Sequence, residues 1–244
     1  RGRADGCPND RRFMESHGTG VSGVIGALAN GVGAVGVCPQ CELLPVRMIG
    51  GSGGRRSSHA AALTWLAQQR AAVVNNSWGP SLARFFPMSI AEQEALEALA
   101  LDSRDGLGAT LLYAAGNDNL RHAGYNSYLR HRETVAVSAS TQRDDLACYS
   151  NIGEMIDFAA PSRGCFDGEN GLVTTDVTGP NGYHESDYHT GFGGTSGATP
   201  VASGVAALVV AANPQLSARQ VRQVMAATAD PIRADSNDWL NRIG

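Results

Sequence analysis

Apolar positions recur at helical spacing in five stretches of the chain, at about 17–29, 58–70, 90–103, 196–212 and 217–229. The last opens on Ser217 as a helix cap and sets Val221, Val224 and Met225 on one face. Between these lie short apolar runs at 43–48, 72–76, 110–114, 134–139 and 156–160, several rich in β-branched residues and bounded by Gly, Asn or Pro. Those runs predict strands. Strands separated by helices imply an α/β fold, doubly wound, with a mostly parallel central sheet covered by helices on both faces. Gly50 to Gly54 predicts a flexible loop, and 161–195, without periodicity and rich in Gly, Asp and Asn, predicts a set of surface loops. No repeat or linker divides the chain, so 1–244 is expected to form a single domain.

Composition narrows this little. A chain of 244 residues with 43% hydrophobic content can bury one sizeable core. No apolar run is long enough to span a bilayer; the longest, Val201 to Ala212, is interrupted by Ser203 and ends at Asn213-Pro214. A net charge of −4 with interspersed signs leaves no basic patch for nucleic acid. Cys38 and Cys41 can form a tight disulfide, a redox pair or half of a zinc site. No second closely spaced pair completes a zinc site and no thioredoxin-like strand precedes them. Disulfides in a secreted or periplasmic protein are therefore expected, with one of Cys7, Cys38, Cys41, Cys148 and Cys165 left over.

The chemistry concentrates at Gly194-Thr195-Ser196-Gly197-Ala198-Thr199-Pro200. A serine among small residues at the start of a buried helix can be a nucleophile, since the helix N-terminus adds positive charge where an oxyanion would form. Thr195 or Ser196 can equally be a simple helix cap. His17-Gly18-Thr19-Gly20 opens the first helix and can expose an imidazole to a cleft, or be a surface histidine near a cap. All six histidines precede Ser196, which excludes an α/β-hydrolase, whose base follows its nucleophile. Asn117 ends the apolar run Leu111 to Ala115, placing an amide at a carboxyl edge of the sheet, where open α/β sheets bind ligands. Asn75-Asn76-Ser77-Trp78-Gly79 is a second strand end of this kind. Gly31-Val32-Gly33-Ala34-Val35-Gly36 matches the dinucleotide fingerprint, but it follows a helix and runs into Cys38-Pro39, so nucleotide binding is excluded.

Four motifs in this order, around His17, Ser77-Trp78-Gly79, Ala114-Ala115-Gly116-Asn117 and Gly194-Thr195-Ser196, resemble the subtilisin-like serine proteases. Ser77-Trp78-Gly79-Pro80, Arg104-Asp105-Gly106-x-Gly108, Gly124-Tyr125-x-Ser127 and Thr174-Thr175-Asp176 are similar to the kexin-like branch. The resemblance implies a serine endopeptidase with Ser196 as nucleophile, His17 as general base, and Asn117 sharing the oxyanion hole with the Ser196 N–H. It implies that Ser77, Trp78 and Gly79 bind the substrate as an added strand. Ala114, Ala115 and Gly116 would form the opposite wall of the primary pocket. It also implies a pro-segment inhibitor and a structural Ca²⁺ held by the Asn30 side chain and the Leu28, Val32 and Ala34 carbonyls.

Two departures from the family pattern stand out. The third catalytic residue, an aspartate ending a strand well upstream of the histidine, has no match among the 16 residues before His17: Asp5 and Asp10 sit in loop-like sequence. The family's C-terminal Gly-x-Gly stretch is also missing after Trp239-Leu240. The chain is therefore expected to lack both ends, with the aspartate on a separate N-terminal fragment. Second, Leu82 and Ala123 stand where kexin-like enzymes carry acidic pocket residues, so apolar or small residues are expected before the cut, Asp118 being the nearest acid. A pseudo-protease acting as a peptide-binding scaffold is the alternative. A chymotrypsin-like protease is excluded by the helical patterns.

Overall fold

The computed structural model describes residues 14–49, 56–79, 87–120, 126–166 and 169–232. The four-stranded sheet runs in the order β1 (Val73–Asn76), β2 (Thr110–Ala114), β3 (Thr134–Ser140), β4 (Phe158–Pro161). Every pairing is parallel, with Val73 opposite Thr110, Leu111 opposite Thr134 and Val137 opposite Phe158. Neighbouring side chains of one strand supply opposite layers. Leu111 and Tyr113 enter a core with α2 (Arg56–Gln68) and α3 (Ile90–Glu97), while Leu112 faces a second core with α5 (Thr195–Ala212) and α6 (Ala218–Thr228). The expected doubly wound α/β architecture is therefore present.

α5 has 18 residues and a mean hydropathy of 1.4, enough on those two counts to cross a bilayer, contrary to the expectation above. It is 56% buried, and its apolar faces pack on the sheet and on α1 (Met14–Gly26).

Four boundaries differ from the sequence reading. α1 stops at Gly26 because the returning chain takes its last carbonyls: Val37 N donates to Val24 O and Cys38 N to Ile25 O. Residues 43–48 join no ladder among the described residues, and Leu43, Leu44 and Val46 are exposed. The helix expected over 90–103 ends in a π-helical turn, Ala98–Asp102, and a left-handed turn at Arg104 and Asp105 in α4 (Ser103–Gly106). There the Arg104 guanidinium donates to the carbonyls of Gly108 (3.0 Å) and Pro214 (2.8 Å), so this kexin-like motif has a structural job. Finally, the region expected to be loops contains β5 (Leu172–Thr175) antiparallel to β6 (Tyr188–Phe192). Threonines and glycines at these positions hide the two-residue period.

Two disulfides form, Cys38–Cys41 and Cys148–Cys165; Cys7 lies outside the described residues. The Gly31–Gly36 run is loop, with left-handed Gly31 and Gly33, which agrees with the exclusion of a nucleotide site.

A buried polar cluster lies beneath the end of β1. The Glu92 carboxylate, fully buried, accepts from Ser89 N (2.8 Å), Ser89 Oγ (2.7 Å) and Tyr128 OH (2.7 Å), and lies 3.2 Å from His59 Nδ1. Burial by itself would raise the Glu92 carboxyl, but the Tyr128 and Ser89 hydrogen bonds prevail and hold it below its usual 4.5. A lowered carboxyl contributes stability that is present above the unfolded value and lost as pH falls through the folded one. Wild-type stability is therefore expected to drop as pH goes below about 4.5. Glu92→Ala removes the acceptor shared by buried Tyr128 and half-buried Ser89 and the carboxylate beside buried His59, and should cost about 3–5 kcal/mol at pH 7 in urea unfolding. A loss under 1 kcal/mol would contradict this account of the cluster.

Candidate active site

The turn that carries Ser196 is built by glycine and proline. α5 is capped by Gly194, whose φ of 74° is a left-handed conformation suited to glycine, and the cap has no side-chain hydrogen bond. Neither Thr195 nor Ser196 is the cap, which removes the bland reading of this serine. Ser196 is the second helical residue, so its N–H has no intrahelical acceptor. Pro200 lacks the N–H that would bond the Ser196 carbonyl. Ser77 Oγ donates to that carbonyl instead, at 3.0 Å. In return Ser196 Oγ donates to Ser77 O at 3.2 Å. The two ends of the proposed cleft thus hold each other. Behind Ser77 a relay continues: Asn75 Nδ2 donates to Ser77 Oγ and Ser203 Oγ to Asn75 Oδ1, each at 3.0 Å.

Asn117 is exposed just beyond β2. Its Oδ1 accepts from Thr195 N (2.8 Å) and Thr195 Oγ1 (3.0 Å). A backbone N–H can only donate, so the carbonyl end of the amide must face Thr195. Nδ2 is left for another acceptor, beside the free Ser196 N–H of the same turn. Thr195 also accepts from Gly116 N at 3.1 Å, and so ties the β2 end to the helix start. The sequence reading gave Thr195 no part in the site, although it adjoins Ser196.

Asn151 was also missed. Its Nδ2 donates to Ala115 O (3.0 Å), its Oδ1 accepts from Asp118 N (3.0 Å), and its N–H donates to Gly116 O (3.0 Å). It therefore braces the wall Ala114-Ala115-Gly116 from behind. A Cβ on Gly116 would lie 2.4 Å from Asn151 Nδ2, so glycine is required there. No local sequence signal marks Asn151, because its partners lie some 31–36 residues away.

On the opposite wall the Trp78 indole turns inward. It donates to Asn76 Oδ1 at 3.1 Å and packs on His59, Tyr113 and Tyr128. The backbone of Gly79 beside it is exposed. Leu82, Ala123 and Gly124-Tyr125 lie outside the described residues.

His17 sits half-buried in α1, with its ring 5.7 Å from that of Phe192 at the end of β6. α1 packs against α5, which carries Ser196, and closes on β5 and β6 because Gly20 and Gly23 have no side chain. A Cβ there would meet the Phe192 ring at 2.8 Å or the Thr175 hydroxyl at 2.2 Å. Burial lowers the His17 pKa below 6.5, which favours the neutral imidazole a general base needs.

The loop Leu28 to Ala34 is mostly exposed, with Gly33 against the Tyr188 ring. Asn30 Oδ1 accepts from Val32 N (3.1 Å) and Leu28 O from Asn30 N (3.0 Å). Each oxygen keeps a second lone pair, so the loop fits a hard cation with neutral oxygen ligands. No cluster of three acidic, histidine or cysteine side chains occurs among the described residues, so compensating charge would come from elsewhere.

The comparison with known proteins decides the family, since the subtilase family model matches residues 3–244. The chain belongs to the subtilase family. Subtilisin Savinase from Lederbergia lenta is 35% identical over 234 residues, which cover 94% of this subtilase and 76% of that protein. A calcium-dependent protease from Trichormus variabilis is 33% identical over 242 residues, covering 89% of this chain and 36% of that protein. The crystal structure of the serine protease of Aeromonas sobria superposes with a TM-score of 0.82 at 25% identity, over 91% of this chain and 44% of that one. This subtilase thus spans less than half the length of the latter two relatives.

Proposed function

We propose that this chain is the catalytic domain of a serine endopeptidase that works through an acyl-enzyme on Ser196. The observation that carries the reading is the Thr195–Asn117 pairing, which leaves Asn117 Nδ2 and the Ser196 N–H without acceptors beside the Ser196 hydroxyl. In the reaction, Ser196 Oγ leaves the Ser77 carbonyl, passes its proton to His17 and attacks the scissile carbonyl. The resulting oxyanion receives hydrogen bonds from Ser196 N–H and Asn117 Nδ2. His17 then gives the proton to the leaving amine, and water hydrolyses the acyl group. Covalent labelling of Ser196 by a fluorophosphonate tests this; a protein that takes up no label would be the peptide-binding scaffold. That second reading is favoured by one observation: no carboxylate partners His17 among the described residues.

The imidazole is oriented, in this proposal, by an aspartate from an N-terminal fragment separate from this chain. β1 is an edge strand, and the exposed Leu43, Leu44 and Val46 offer apolar surface for a further strand. A pro-segment acting as inhibitor would occupy the same cleft as substrate.

In specificity the domain departs from its kexin-like resemblance. Burying an arginine head group without a carboxylate is costly, so cleavage is expected after apolar or small residues. Sequencing the products of a mixed peptide library checks this, and predominant cutting after Arg or Lys would overturn it. The Leu28 to Ala34 loop is proposed to hold Ca²⁺ through Asn30 Oδ1 and the Leu28, Val32 and Ala34 carbonyls. Added Ca²⁺ should raise the Tm of the wild-type protein by a few degrees, and less in Asn30→Ala. Equal shifts in both proteins would remove Asn30 from the site.

A further inference from the structure

Arg163 follows the end of β4 on a loop that is held at three points. Ser162 Oγ donates to Gly194 O at 2.7 Å, Tyr149 OH donates to Arg163 O at 2.6 Å, and Cys165 is bonded to Cys148. From that fixed backbone the Arg163 side chain lies across Gly193: a Cβ on Gly193 would meet Arg163 Cβ at 2.4 Å and Cδ at 3.3 Å. Its Nη1 ends 3.9 Å from the place of a Gly191 Cβ, and His189 Nε2 lies 3.2 Å from the same point. Glycine at 191 therefore lets a guanidinium and an imidazole border the same point.

The Arg163 charge is unmatched among the described residues. Arg70, Arg143, Arg219 and Arg222 pair with Asp105, Glu169, Glu133 and Asp157. The Arg163 guanidinium has no such partner among the described residues. Glu169, near its loop, is taken up by Phe166 N (3.0 Å) and Arg143 (3.7 Å). Asp176, near His189, accepts from Val177 N (2.8 Å) and His184 N (2.9 Å). An exposed arginine held beside a cleft without a counter-ion is suited to a carboxylate, which its planar fork can bind through two parallel hydrogen bonds.

The position relative to the reaction follows from the strands. The acyl side of a substrate lies along the ends of β1 and β2, at Ser77-Trp78-Gly79 and Ala114-Ala115-Gly116. Gly193 follows Phe192, whose ring is 5.7 Å from that of His17, and precedes Gly194, whose Cβ position is 3.2 Å from Asn117 Nδ2. The group that His17 protonates is the leaving amine, so the residues after the cut run towards Arg163.

We propose that Arg163, with His189 as the opposite wall across Gly191, receives an acidic side chain of the substrate within the first few residues after the scissile bond. This rests on the endopeptidase reading above.

The test uses the full-length protein and peptides that differ only at the first three positions after the cut, each carrying Asp, Asn or Lys. At one position the wild-type enzyme should favour Asp over Asn by about fivefold in kcat/KM, mostly through KM, as expected for one exposed ion pair. Arg163→Glu should invert the order towards Lys, and Arg163→Lys should keep a weakened preference for Asp. Thermal melting of each variant separates loss of fold from loss of preference. An Asp-to-Lys ratio that Arg163→Glu leaves unchanged, or a wild type with no preference at any position, overturns the proposal. A wild type whose Ser196 takes up no fluorophosphonate overturns the endopeptidase reading itself.

Discussion

Ser196→Ala is expected to abolish fluorophosphonate labelling and, in protein supplied with the orienting aspartate, to lower kcat by about 10⁶-fold, the size found for the corresponding change in subtilisin and carried over from that enzyme. The substitution removes one oxygen. Among the described residues the hydrogen bond lost is the one that Ser196 Oγ gives to Ser77 O, while the bond from Ser77 Oγ to the Ser196 carbonyl remains. Gly194 still caps the helix and Pro200 still frees that carbonyl, so the turn has no reason to rearrange. Tm should therefore move by no more than a few degrees, which makes the loss of labelling a statement about chemistry. Persistent labelling of Ser196→Ala at another residue would refute the assigned nucleophile. The pH profile of wild-type labelling adds a second reading. His17 acts as base only when neutral, and burial alone sets its pKa below 6.5. The rate should hold from pH 8 down through 6.5 and fall only below it. An inflection above 6.5 would mean that a carboxylate has docked beside the imidazole and favours its charged form.

Asn117→Ala is expected to reduce kcat by about 10²–10³-fold with little change in KM, a range that includes the value for the matching subtilisin residue. The argument rests on the Thr195 pairing. Thr195 N and Oγ1 hold the carbonyl end of the Asn117 amide, so the donating end is fixed before substrate arrives. A donor fixed in this way is worth most when negative charge develops, which is why the loss should appear in kcat. Asn117→Asp should lose more than Asn117→Ala. It keeps an acceptor for Thr195 but offers no proton to the oxyanion and adds a negative charge. Steady-state kinetics of both variants on one peptide decides the matter; a kcat within threefold of wild type would exclude Asn117 from the oxyanion hole.

Much of this was legible in the chain. The alternation of apolar runs gave the doubly wound sheet, because each strand of a parallel sheet is buried on both faces and reads as a short apolar block. β2 and β3 are buried at every position, and both were placed within a residue. β5 and β6 were not seen, because Gly191 and the threonines are there to admit α1 and neighbouring loops, not to fill a core. The segment 43–48 has the composition of a strand, yet a strand needs a partner, and none of the described residues supplies one.

For the site, the sequence by itself nominated Ser196, His17 and Asn117, because the small residues that flank each of them form a local pattern. What only the tertiary structure decided is how those groups are held and which surfaces they share. Thr195 directing the Asn117 amide, Asn151 bracing the Ala115-Gly116 backbone, and Arg163 lying across Gly193 all join residues separated by about 30 to 80 positions. Hydrogen bonds of that kind depend on distances set by packing of the whole sheet and helices, and no local pattern of residues encodes them.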